Sequence, residues 1–141
     1  MNNNFNDNEL LQLLFQKKYL ENISLGPCMT SMSKQILLES IRKYCVKIKF
    51  FESIESHNID NFQLILDSIK NFKQSLNYLS IENLSYFNEY ASYMMLNLGQ
   101  ILPYKLEYLS LQLDVKSSND LEVFLKHIKN IFIEKLIIKV N

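Results

Sequence analysis

Two histidines, His57 and His127, and two cysteines, Cys28 and Cys45, are the side chains best suited to proton transfer, nucleophilic attack or metal binding. Their placement supports none of these. His57 falls in a stretch read as a loop and His127 in one read as a helix, and neither has a cysteine or carboxylate constellation beside it. Both read as solvated histidines. Cys28, next to Pro27, reads as a buried loop cysteine bonded locally rather than as a reactive thiol. The cysteines have no metal-like spacing, and as reduced thiols they predict a cytoplasmic or nuclear protein. No phosphate loop, nucleophile elbow, zinc pattern or dinucleotide fingerprint is present. The expectation is therefore a protein that is not an enzyme and has no cofactor or metal.

The aromatic and carboxylate residues are more informative, because they recur. Leu76-Asn77-Tyr78-Leu79-Ser80-Ile81 returns as Leu106-Glu107-Tyr108-Leu109-Ser110-Leu111, both reading L-x-x-L-x-L. Related segments begin at Ile48, Leu20 and Ile133. Five segments starting at 20, 48, 76, 106 and 133 give spacings of 28, 28, 30 and 27. A period in this range marks a stack of supersecondary units. The stretch ahead of each segment tests that reading. Ile36 to Tyr44 and Leu64 to Phe72 match in chemical type, with apolar residues three and four apart. That is the helical period, so each unit is a helix, a short connection and a strand.

The elements that must position the recurring residues follow in order. Residues 1–7 read as a flexible start and 8–141 as one repeat domain. Helices are expected over 8–18, from a cap at Ser31 or Ser33 to Tyr44, over 60–72, 88–102 and 121–131. Strands are expected near 20–25, 48–53, 76–81, 106–111 and 133–138. Gly99 sits inside the fourth helix, where a small residue lets it approach its neighbour, and Met94, Met95, Leu98 and Leu102 form a core stripe. Right-handed crossovers repeated at constant period curl a parallel sheet into an arc, with helices on the convex side. The first, fourth and sixth strand positions point to the helices, and the third, fifth and seventh to the concave face.

Bulk properties exclude several function classes. The chain has 141 residues, 48% hydrophobic and 21% charged, which fits one globular domain. Fifteen basic and fifteen acidic residues cancel, with no basic patch to attract nucleic acid or anionic membrane. No apolar run approaches the roughly 20 residues of a membrane helix. The Asn-rich start lacks the pattern of a signal peptide.

The L-x-x-L-x-L strands and helical repeats resemble leucine-rich repeats of the helix-containing type. Runs such as Gln74 to Ile81 and Leu102 to Leu111 look most like fungal F-box/leucine-rich-repeat proteins, over about residues 8 to 140. The resemblance implies an α/β leucine-rich-repeat solenoid arc of about five units that binds a target. It also implies a place in a ubiquitin ligase complex, reached through an F-box on a separate chain because none is visible here. The family's Asn or Cys three residues after the last leucine is matched by Cys28, whereas Ser56, Leu84 and Asp114 depart from it.

The third position gives the column Asn22, Phe50, Tyr78, Tyr108, Lys135. The fifth gives Ser24, Glu52, Ser80, Ser110, Ile137, and the seventh Gly26, Ile54, Glu82, Gln112, Lys139. Adjacent strands lie about 4.8 Å apart, so Phe50, Tyr78 and Tyr108 should stack. With Glu52, Glu82 and Gln112 they make a candidate surface for a protein or peptide. The plainer reading is that aromatics suit strands and cover one another. A second function class stays open: an incomplete array, with an unprotected last strand, that self-associates and has no independent activity.

Overall fold

A computed structural model describes residues 20–55, 60–83, 88–115 and 117–140. The expected flexible start, the helix over 8–18 and His57 lie outside the described residues. The described elements alternate as β1 (Asn22–Leu25), α1 (Ser31–Tyr44), β2 (Phe50–Glu55), α2 (Asp60–Asn71), β3 (Tyr78–Asn83), α3 (Asn88–Ile101), β4 (Tyr108–Leu113), α4 (Ser118–Ile128) and β5 (Lys135–Val140). The strands form one five-stranded parallel sheet in chain order. Sequential order gives every crossover the same sense, which puts the helices on one face.

Local chemistry explains the helix ends. Thr30, rather than Ser31 or Ser33, caps α1: its Oγ1 accepts from the Ser33 N–H at 3.2 Å. Arg42 and Lys43 in the last turn suit the negative end of the helix. Ser40 and Ser68 occupy equivalent buried positions in α1 and α2. Each donates its hydroxyl to the carbonyl four residues back, to Ile36 at 2.8 Å and Leu64 at 2.7 Å. Pro103 lies just past the end of α3. α4 begins three residues earlier than expected and ends at Ile128. Ser117 takes the cap position, so Ser118-Asn119-Asp120 forms the first turn rather than a loop, with Asp120 at the positive end.

Each strand from β2 to β5 also starts two residues later than its leucine pattern suggests. At β3 the cause is visible. Ser75 and Leu76 both donate to the Phe72 carbonyl at 2.9 Å, so Leu76 closes the turn after α2 before the ladder begins. The ladder then opens on a shared acceptor. Lys49 and Phe50 donate to the Glu21 carbonyl, Asn77 and Tyr78 to Lys49, and Glu107 and Tyr108 to Asn77.

The first, fourth and sixth positions do face the helices. Ile48, Leu76, Leu106, Phe51, Leu79 and Leu109 are fully buried, as are the α3 residues Met94, Met95 and Leu98. Neighbouring units are also tied by polar contacts. The Asn71 amide donates to the Arg42 carbonyl at 2.9 Å, and the Ser75 hydroxyl to the Ile48 carbonyl at 2.8 Å. The Tyr93 hydroxyl of α3 donates to Gln63 of α2 at 2.8 Å. Gly99 lets α3 and α4 approach closely. A Cβ there would lie 3.2 Å from both His127 Cβ and Phe124 Cδ2 of α4.

Two stability outcomes follow from this packing. Leu79→Ala or Leu109→Ala should cost about 2–5 kcal/mol in chemical denaturation. A negligible change in midpoint would mean that these leucines are not core. Gly99→Val should also destabilise, by roughly 1–3 kcal/mol of overpacking. His127 Cβ is held to its own backbone and has no rotamer by which to retreat. A rise in Tm for Gly99→Val would contradict the close approach.

Candidate functional site

The sheet face away from the helices carries the three side-chain columns. Register pairs Asn22 with Phe50, Phe50 with Tyr78, Tyr78 with Tyr108 and Tyr108 with Lys135. The same register aligns Ser24, Glu52, Ser80, Ser110 and Ile137, and then Ile54, Glu82, Gln112 and Lys139. Phe50, Glu52, Tyr78, Glu82, Tyr108 and Gln112 are therefore brought together on one face, each half-buried.

The rings stack face to face. Phe50 and Tyr78 centroids are 4.1 Å apart with planes at 15°, and Tyr78 and Tyr108 are 4.1 Å apart at 4°. Offset or edge-on pairs are the intrinsic preference. Parallel strands override it by placing the rings side by side on neighbouring strands in register. The Lys135 ammonium closes the stack, 5.6 Å from the Tyr108 ring centre. That cation–π contact is worth about 0.5–1 kcal/mol at an exposed site.

Beside the rings, Glu52 accepts from the Ser24 hydroxyl at 2.9 Å. The Tyr78 phenol is pushed up to about 12, first by burial, then by the Tyr108 hydroxyl and its charge, and then by the Glu52 charge. The face is electrically polar across the sheet. Glu52 and Glu82 lie on β2 and β3, Lys135 and Lys139 on β5. The arrangement suits binding, with phenols and carboxylates on one side and ammonium groups on the other.

The other chemically capable residues do not join it. Cys28 is exposed, against the expectation of a buried loop cysteine, because the loop after Gly26-Pro27 leaves its thiol outside the core. Cys45 is buried, which pushes its thiol up. His127 is exposed, with Nδ1 2.8 Å from the Val123 carbonyl of its own helix. Among the described residues no group of three His, Cys, Asp or Glu side chains could hold a metal ion, and no helix is long and apolar enough to cross a membrane. Sequence reasoning missed Lys34, which is 2% exposed and donates its ammonium to the Ile54 carbonyl at 2.6 Å. Lysine in a first helical turn ordinarily signals solvent, and only the position of the β2 end reveals its role. It also missed the Ser24–Glu52 bond, which the column alignment could have suggested. The chain matches no family model, no curated protein and no solved structure.

The phenol cluster has a pH signature. An unfolded tyrosine ionises near 10, and Tyr78 in the fold near 12. Between those values the folded state holds the extra proton. The contribution is fully present below about pH 10 and is lost as pH rises toward 12. An ultraviolet phenolate titration should show a late-ionising step, and Tyr78→Phe should remove it. A late step that survives Tyr78→Phe would assign it to another residue.

Proposed function

We propose that this chain is a leucine-rich-repeat solenoid whose tyrosine-bearing face is the concave surface of a protein-recognition module. Two observations support the solenoid reading. The order is sequential and parallel, and the junctions repeat unit by unit.

The single observation that carries the recognition reading is the half-buried Phe50–Tyr78–Tyr108 stack flanked by Glu52 and Glu82 on one side and Lys135 on the other. Stacked rings turn their edges and hydroxyls outward. They offer apolar area whose side chains are already ordered, which lowers the entropy lost on binding. Tyrosine is enriched at binding hot spots for the same reason. The ligand is a protein or peptide segment with a basic group toward Glu52 and Glu82. The recognition surface stands on geometry, whereas the link to a ubiquitin ligase, through an F-box on another chain, stands on the resemblance alone. A cytoplasmic or nuclear location belongs to the same reading.

The test is affinity capture with matched variants. Tyr78→Ala with Tyr108→Ala should abolish capture of a specific partner, at a cost of roughly 1–3 kcal/mol for two lost ring contacts. Glu82→Lys should weaken capture at least tenfold while leaving Tm close to wild type. Partners retained by both variants would place recognition elsewhere on the molecule.

A further inference from the structure

We propose that the outer ring face of Phe50, between Asn22 and Glu52, is a seat for an arginine side chain of the bound protein or peptide. This inference rests on the recognition reading above and gives that surface its specificity-determining subsite.

The two ends of the ring stack are finished differently. Tyr78 has a ring on each side, Phe50 and Tyr108, both with centroids at 4.1 Å. Tyr108 is covered by Tyr78 on one face and by the Lys135 ammonium, 5.6 Å from its centre, on the other. Phe50 has Tyr78 on one face, and register places Asn22 across the other. Asn22 is exposed and Phe50 half-buried. An asparagine side chain is shorter than a phenyl ring, so the outer part of that face rises above it. Among the described residues no second ring and no ammonium is seated there.

The chemistry of a ring face sets the class of ligand. The face carries the negative part of the ring quadrupole and the edge the positive part, so a cation binds over the face. The outward edges of the stack therefore repel a basic group, and the inner ring faces are closed against one another. Lys135 makes the favoured contact at the Tyr108 end. The Phe50 face is the position left for a cation from outside.

Glu52 supplies the counter-charge on the same side. It lies two residues along β2 from Phe50, about 6.6 Å at the strand rise. Its Oε2 accepts from the Ser24 hydroxyl of β1 at 2.9 Å. That bond draws the carboxylate toward β1, the side on which the Phe50 face opens, and leaves Oε1 to accept from a ligand. Lys49, which precedes Phe50, is held by Glu21 at 3.2 Å. A guanidinium lying flat on the ring keeps its donors in its own plane, directed at Glu52 and at the Asn22 side-chain carbonyl. An ammonium is more strongly hydrated and cannot stack flat, so it gains less from the same three groups. The geometry therefore selects arginine over lysine.

The test is a titration of the full chain with N-acetyl-argininamide, followed by nuclear magnetic resonance. The Phe50 ring and Asn22 side-chain signals should shift first. The lysine analogue should bind roughly fivefold more weakly, and the uncharged citrulline analogue should leave those signals unmoved. Asn22→Lys should abolish the response, because it sets an internal ammonium over Phe50 as Lys135 lies over Tyr108. Glu52→Gln, which keeps an acceptor for Ser24, should weaken binding roughly threefold at low salt. Both variants should keep the wild-type far-ultraviolet circular dichroism spectrum. No response, shifts centred away from Phe50, equal binding of the lysine analogue, or a response that survives Asn22→Lys would each overturn the seat. Partner capture separates this inference from the reading beneath it. Capture lost in Tyr78→Ala with Tyr108→Ala but intact in Asn22→Lys overturns the arginine seat and leaves the recognition surface standing. A localised argininamide response, with capture indifferent to the tyrosine variants, supports the seat and overturns the recognition reading.

Discussion

Parallel strand pairing in fixed register is the constraint on which the rest depends. It gives each residue a neighbour of the same rank in the next unit, so like meets like: Leu79 beside Leu109, Ser80 beside Ser110, Tyr78 beside Tyr108. The spacing of the paired residues varies, 28 from Phe50 to Tyr78 and 30 from Tyr78 to Tyr108, yet the ladder does not slip. The additional residues lie between strands, where length is tolerated cheaply. A slip by one residue would carry Leu79 and Leu109 to the open face and Tyr78 and Tyr108 into the helix layer. Burial of the leucines therefore also fixes where the tyrosines stand.

That coupling explains what was legible in the sequence. The alternation Tyr78-Leu79-Ser80-Ile81 identifies both faces at once, and its repetition at Tyr108 fixes which strands are neighbours. The columns follow from those two facts. Boundaries were less legible because Leu76 is core but not ladder: an apolar residue in the closing turn looks the same in sequence as one in the strand. The start of α4 was obscured for a related reason. Ser117, Ser118, Asn119 and Asp120 are all good caps or loop residues, and only tertiary placement chooses Ser117. Cys28 and Lys34 are reversed from their residue types, the one exposed and the other buried. Each is decided by a segment distant in sequence or by loop path, which residue type cannot encode.

On the open sheet face, backbone groups are spent within the ladder, so only side chains address a ligand, and selectivity must come from rings and charges. Lys135 contributes to this face, since its ammonium lies over Tyr108 and covers that end of the ring stack.

The ring stack has an optical consequence. The chain contains no tryptophan, so its near-ultraviolet transitions come mainly from tyrosine. Tyr78 and Tyr108, parallel to within 4° at 4.1 Å, are close enough for their excited states to couple. The chiral backbone holds that coupled pair in one fixed geometry. The molecule therefore carries a label-free spectroscopic reporter of β3–β4 alignment, one that would fade when those strands part even while the helices persist.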